Sequence, residues 1–331
     1  MKNDDLKEKI RSTLIGVAYG DAMGMPSEMM TRELFRQAFP HGIKTFEPSS
    51  PYDFFQRKFL AGQVTDDTMH TFLVIRTMLQ NQGKFDIHTY MELLQAWLHD
   101  HPKEAPLVTG PSTIRALDAI SKGMSYAEAG KYGHTNGAAM KAAPLGFIHD
   151  YRNLSALCDD VEQLCLPTHH TGIGIGGACV VSALVSYGIH GGHDLKDMWC
   201  LAAEAFVQGN CRGNQLPMPD MLERFHIVQE LIHTEEEADV LRKMEQAYGT
   251  GMEMIETIPA VLAIVTLSQF DPCKAARMSA NLCQDSDTIG SISCAICGSI
   301  CNTFAEEDIR LLERVNQLDF QDTAEALALV I

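Results

Sequence analysis

Apolar residues in this chain recur three and four positions apart, and runs that alternate apolar with polar are scarce. The first period lines one face of an α-helix, whereas a half-buried strand needs a period of two. Leu6, Ile10, Leu14 and Val17 make one stripe, and Tyr90, Leu93, Leu94, Trp97 and Leu98 a second. Leu154, Leu157, Val161 and Leu164 continue the pattern, then Met221, Leu222, Phe225, Val228 and Leu231, with Leu311, Val315 and Leu318 near the end. The expectation is an all-α protein. Residues 43–63 break the rhythm: with Pro48, Pro51 and several aromatics they have no clean period and read as a long loop or lid. A loop of that length in a compact domain points to function. A second break runs from Gly209 to Pro219. No charge block, low-complexity linker or short repeat divides the chain, so one compact helical domain over residues 1–331 is expected.

Charge narrows the partners. A total of 26 Lys and Arg against 43 Asp and Glu leaves a formal net charge of −17, which repels nucleic-acid backbones and anionic membrane surfaces. Neither nucleic acid nor membrane is expected as a partner. The same excess suits a centre that gathers carboxylates around divalent cations. The opening MKNDDLKEKIRSTLIG has acids among its first residues and lacks a long apolar run, so it does not read as a secretory signal. No segment approaches about 20 uninterrupted apolar residues, and a cytoplasmic protein is expected. The ten cysteines sit largely among apolar neighbours, which predicts buried thiols rather than disulfides. Cys294, Cys297 and Cys301 share one side of a helix but lack the second pair a zinc site needs, and are expected as small core residues.

Three segments carry the chemistry. Gly20-Asp21-Ala22-Met23-Gly24-Met25-Pro26-Ser27-Glu28 follows the first stripe, has the glycines and proline of a turn, and ends in a carboxylate. Alone, its acids read as solvated loop residues. Thr65-Asp66-Asp67-Thr68 precedes Met69, Phe72, Leu73 and Leu79 at helical spacing, so it stands at a helix N-terminus. Asp285-Ser286-Asp287-Thr288 heads another stripe, Ile289, Ile292, Ile296 and Ile300. Capping explains each cluster singly, because Thr and Asp satisfy free amides there and complement the helix dipole. Two clusters remote in sequence are harder to dismiss. Adjacent carboxylates repel unless a cation sits beside them, and hard divalent ions take several carboxylate, hydroxyl or carbonyl oxygens. Packed side by side, the two helix heads would present their acids to one cleft suited to a pair of ions.

In that order, GDAMGMPSE, TDDT and DSDTIG resemble the three signature segments of the ADP-ribosylglycohydrolase family, which includes dinitrogenase reductase-activating glycohydrolase and the hydrolases of ADP-ribosylarginine and ADP-ribosylserine. Residues Thr135 to Gly146 resemble its glycine-rich substrate loop, Thr168-His169 its Thr-His segment, and Glu256-Thr257-Ile258-Pro259-Ala260 the segment before the last acidic cluster. The likeness spans nearly the whole chain, and the joint order is what makes it specific. It implies a compact orthogonal all-α bundle with two divalent cations, Mg2+ or Mn2+, held by Thr65, Asp66, Asp67, Asp285, Asp287 and Thr288. Glu28 matches the family's mobile acid near the reacting centre, and Glu28, Asp66 and Asp287 are the catalytic residues so implied. Gly110, Asn136, Gly137, Ala138, Met140 and His169 fall where relatives hold the ribose, phosphate or adenosine portion. His170 could serve in place of His169. The implied reaction is hydrolysis of an N- or O-glycosidic bond at the anomeric carbon of an ADP-ribosyl group, on a small molecule or a protein, or of a related ribosyl compound. Such a bond breaks through an oxocarbenium-like state, which a metal-activated water and a proton-carrying acid can serve.

Three positions depart from the family pattern. Cys283-Gln284 stands where relatives commonly have Gly-Gly, Lys141 where many have arginine, and Ser286 where threonine is common. A lysine is a point charge and cannot make the bidentate contact of a guanidinium. No basic cluster dedicated to a diphosphate is visible, so a nucleosidase-like hydrolysis of a small nucleoside is the rival within enzymes. A non-catalytic, crystallin-like structural or ligand-binding member is the rival of another class, and retention of all six candidate ligands argues against it.

Overall fold

The computed structural model of the protein describes residues 3–102, 105 and 109–331. Its helices run in the order α1 (Asn3–Gly24), α2 (Arg32–Ala38), α3 (Asp66–Gln80), α4 (Ile87–Asp100), α5 (Pro111–Ser121) and α6 (Tyr126–Gly130). Then come α7 (Leu145–Ile148), α8 (Leu154–Cys165), α9 (Gly172–Ile189), α10 (Leu195–Asn210) and α11 (Met221–Thr234). The chain closes with α12 (Glu237–Lys243), α13 (Met254–Ser268), α14 (Pro272–Ala280), α15 (Ser286–Ile300), α16 (Glu306–Asn316) and α17 (Phe320–Ala328). Among the described residues no β-strand forms; Thr135 with Glu253 and Thr171 with Asn214 make isolated bridges.

The most extensive helix–helix contact joins α1 to α15, and glycine makes it possible. Gly16, Gly20 and Gly24 repeat every four residues and therefore share one face of α1. A Cβ at these positions would stand 2.2 Å from the Cys294 carbonyl oxygen, 2.1 Å from that of Gly290 and 2.3 Å from that of Ser286. The two backbones touch along most of their length. Consequently the last turn of α1, with Asp21, lies against the first turn of α15, with Asp287. The sequence reading of Gly20–Glu28 as a turn is corrected here. α1 continues through Gly24, and only Met25–Ser27 forms a short 3-10 turn. Each glycine costs a helix about 1 kcal/mol in propensity, and close packing against α15 offsets that cost.

The core lies around helices buried on every side. α9 and α15 are buried from end to end apart from the last residue of α15, and α1 is buried from Ser12 onward. A helix apolar all round belongs inside. By length and composition α9 is apolar enough to cross a membrane, yet all of it is buried within the protein. The α8 stripe of Leu154, Leu157, Val161 and Leu164 faces the core as expected. The terminal stripe does not: α16 buries Ile309 and Leu312, while Leu311 and Val315 are only half-buried. Leu318 falls beyond the helix, which ends where Gln317 adopts a left-handed conformation. Cys158, Cys165, Cys179, Cys283, Cys294 and Cys297 are buried free thiols, Cys273 and Cys301 are half-buried, and Cys200 and Cys211 are exposed.

Both expected breaks are irregular: residues 43–63 carry no helix, and α10 and α11 are joined by the coil that includes Gly213–Pro219. The first is anchored from within. Arg57 and Asp53 are buried, and the Arg57 Nε and guanidinium donate to Asp53 at 3.0 and 2.6 Å. Phe54 at the same tip is 64% exposed.

Candidate metal centre

The heads of α3 and α15 converge on one cavity of about 270 Å³, lined by Asp66, Asp67, Asp285, Asp287, Thr288 and Glu28 among others. The Thr288 hydroxyl donates to Asp67 Oδ2 at 3.2 Å and so links the two helix heads directly. Glu28, Asp285 and Asp287 each place a carboxylate oxygen within 4.8 Å of the other two. Neither Thr65 nor Asp285, the residues just before the two helices, makes a side-chain capping hydrogen bond. Capping therefore does not account for them. Thr65 is buried and does not line the cavity; its hydroxyl donates to Asp21 at 2.9 Å.

Asp21 is the member that sequence reasoning missed. It is fully buried and accepts hydrogen bonds from the Thr65 amide and hydroxyl and from the Thr68 amide and hydroxyl, the last at 2.6 Å. It thus fixes the head of α3 from beneath. The available signal was an acid set among apolar residues and four-spaced glycines, a pattern that belongs to a buried helix rather than a solvated turn. Arg57 was missed as well, because a loop without a period gives no hint of which side chain turns inward. Its guanidinium pairs with Glu28 at 2.6 Å and with Asp53 at 2.6 Å, and stacks over Phe55 at 4.8 Å. Glu28 and the loop tip are thereby held together.

So many buried carboxylates disfavour one another's ionisation. Burial, with the Asp287 charge beside it, pushes Asp21 up to about 7, against hydrogen bonds from Thr68 and Thr65. The same two causes push Asp285 up to about 8, with the Asn136 amide opposing. Burial and the neighbouring Asp287 raise Glu28 well above the usual carboxylate range, with Arg57 pulling it down. Asp66 is raised by burial and then by Asp287, and Asp67 by burial and then by the Asp21 and Asp287 charges. Asp67 Oδ1 is buried without a hydrogen-bond partner. Among the described residues lining the cavity, the acids face one cation, Arg57, and no cysteine. An all-oxygen donor set with an orphaned carboxylate oxygen and excess negative charge fits a hard divalent cation.

The opposite wall holds the candidate substrate residues. Gly110, Asn136, Gly137, Met140 and His169 line the cavity, whereas Ala138 lies in the core behind it. Asn136 donates to the Asp285 carboxylate and, at 2.8 Å, to the Thr257 hydroxyl, so it ties its own segment to the acidic cluster and to α13. His169 is buried, with Nε2 bonded to the Thr135 hydroxyl at 2.9 Å and Nδ1 to that of Thr168 at 2.8 Å. Burial lowers its pKa and keeps it neutral. The adjacent His170 bonds instead to Glu162 at 3.1 Å. Lys141 is not at the cavity wall: it is buried with its ammonium 5.3 Å from the Tyr90 ring centre, and burial lowers its pKa to about 8. Phe54, Phe55 and Met252 also line the cavity.

Fold and cavity together define an all-helical protein with a buried acidic centre assembled from two helix heads. The chain belongs to the ADP-ribosylglycohydrolase family, whose model matches residues 2–330, and so to a family of glycohydrolases. It is 31% identical over 328 residues to YegU of Escherichia coli (strain K12), described as uncharacterized, covering 97% of this chain and 96% of that one. An uncharacterized protein of Archaeoglobus fulgidus is 31% identical over 182 residues, 55% of this chain and 56% of its own length. Among solved structures, an ADP-ribosylglycohydrolase-related protein complex shares the fold with a TM-score of 0.70 at 20% identity, over 99% of each chain.

Proposed function

We propose that the protein is a divalent-metal-dependent hydrolase that cleaves the bond between the anomeric carbon of a ribose and its aglycone. One observation carries this reading: acids from the heads of α3 and α15, with Glu28, share a single cavity. Asp66, Asp67, Asp285, Asp287 and Thr288 would hold two cations, Mg2+ or Mn2+, while Thr65 acts through Asp21 to keep the α3 head in place. When bound, such ions lower the pKa of water and orient ribose hydroxyls. The rest falls to this chain's own residues. Glu28, whose carboxyl burial and Asp287 raise above the usual carboxylate range against the pull of Arg57, gives its proton to the departing aglycone as the oxocarbenium character develops. Arg57 holds the Glu28 carboxyl at the cavity edge. Asn136 fixes Asp285, and Phe54 and Phe55 shield the reacting centre from bulk water. In balance, the hydroxyl of water joins the anomeric carbon and a proton joins the aglycone.

A nucleoside-type substrate has an observation in its favour. The cavity of about 270 Å³ has one cationic side chain among its described lining residues, Arg57, already shared between Glu28 and Asp53. No free guanidinium is left there for a pyrophosphate, which favours a compact ribosyl compound over one carrying an ADP moiety bound within the cavity. The experiment is a mass-spectrometric product assay with Mg2+ or Mn2+, and with EDTA as control. Its substrates are ADP-ribosylated arginine and serine peptides, O-acetyl-ADP-ribose and simple nucleosides. Release of ribose or ADP-ribose that stops with EDTA and in Asp287→Ala supports the proposal; divalent binding without any release contradicts it.

A further inference from the structure

A second, open groove of about 650 Å³ lies between α2, α12 and α14 and shares no lining residue with the acidic cavity. Its charge runs against that of the whole molecule. Arg32, Arg36, Arg242, Lys274 and Arg277 line it against only two acids, Glu237 and Glu245, in a chain with a net charge of −17. Three of these cations are engaged: Arg32 with Glu245, Lys274 with Glu237 at 2.7 Å and Arg242 with Asp239 at 2.9 Å. The Arg32 guanidinium also donates to the Asn281 carbonyl at 3.0 Å and packs 4.9 Å from the Phe35 ring centre, so it forms a fixed wall. Arg36 and Arg277 are exposed and make no ion pair among the described residues. Beside them, Leu241, Met278 and Leu282 supply an apolar floor.

Unpaired guanidiniums gathered on a groove wall repel one another, and an anion between them removes that repulsion. Their planar forks match phosphate oxygens in pairs. A single phosphate would use little of so long a groove, and an inorganic ion would leave the apolar floor uncovered. We infer that this groove is an anion-binding site for an oligophosphate ester, a nucleoside diphosphate being the class that satisfies both the free arginines and the floor. The site is independent of the proposed hydrolysis.

The test is isothermal titration calorimetry in EDTA-containing buffer, with inorganic pyrophosphate and ADP as probes. Wild type, an Arg36→Ala/Arg277→Ala protein, an Arg36→Lys/Arg277→Lys protein and Asp285→Asn would be compared. Both probes are expected to bind wild type and Asp285→Asn alike, ADP more tightly than pyrophosphate, with affinity falling as salt rises. The double alanine protein is expected to lose at least about tenfold, as follows from removing two charge-assisted contacts, and the double lysine protein to recover part of it. No binding to wild type would overturn the assignment. So would binding that survives in the double alanine protein or disappears in Asp285→Asn, which would place the anion elsewhere. Capture of an acidic phosphopeptide with neither probe binding would also overturn it, in favour of a protein partner.

Discussion

The backbone amide of Met29 donates to the carbonyl of Gln284, and both residues hold left-handed conformations, with φ of 56° and 70°. This pair ties the turn carrying Glu28 to the loop carrying Asp285. The Gln284 side chain reaches further, accepting from the Thr250 amide at 3.2 Å and donating to the Glu245 carbonyl at 3.4 Å. A non-glycine residue in that region costs about 1 kcal/mol or more and persists where its surroundings over-determine it. Gln284→Gly relieves the strain while losing the side-chain bonds, so thermal stability is expected to change by less than about 1 kcal/mol. In steady-state kinetics kcat is expected to fall more than KM rises, because the freer glycine backbone holds its carbonyl, and through it the turn carrying the proton donor Glu28, less firmly. Gln284→Val is expected to cost about 2 kcal/mol in the same melts. A Gln284→Gly protein with unchanged kinetics would remove this residue from the positioning of the site.

Arg57 is the counter-charge of the loop. Its side chain is 1% exposed, and those of its partners Asp53 and Glu28 are 2% and 11% exposed. Arg57→Met leaves two carboxyls buried without their cation, a change expected to destabilise the protein by about 3 kcal/mol in denaturant titrations at neutral pH. Adding Asp53→Asn and Glu28→Gln to that variant should restore part of the loss. A cost below about 0.5 kcal/mol, typical of a surface pair, would mean that the loop is not held by this contact.

The metal-free protein should weaken as pH rises. Asp21 and Asp285 start from 3.8 and are pushed to about 7 and about 8 in the folded chain by burial and by Asp287. The folded state therefore binds more protons than the unfolded one between those values. The associated stabilisation is complete below about pH 4 and is lost as pH rises through about 7 and 8. In EDTA, scanning fluorimetry is expected to give a lower melting temperature at about pH 8.5 than at about pH 6. Added Mg2+ or Mn2+ should raise it more at the higher pH, because ligands must be deprotonated to hold the ion. A metal-free melting temperature that is flat or rises with pH, and does not respond to either cation, would contradict the electrostatic reading of the cavity.

Much of this was legible in the sequence because the relevant rules are local. Helical period gave the fold class, and acids with threonines ahead of apolar runs marked the heads of α3 and α15. Long-range contacts were not legible. Gly20 and Gly24 look like turn residues until the α15 backbone is seen against them, and Asp21 looks solvated until α1 is seen to be buried on all sides. Arg57 sits in a stretch without a period, where only the folded loop shows which side chain turns inward. The α16 stripe slipped because Ile309 and Leu312, three residues apart, form an equally good row beside Leu311 and Val315, and only the neighbours decide between the two.

The most direct measurement is crystallographic: crystals grown with Mn2+, with diffraction recorded at an energy where manganese scatters anomalously. Anomalous peaks are expected inside the cavity, about 2 Å from carboxylate oxygens of both the Asp66–Asp67 and the Asp285–Asp287 pairs. Manganese found only on surface carboxylates, with none between the two helix heads, would contradict a shared metal centre.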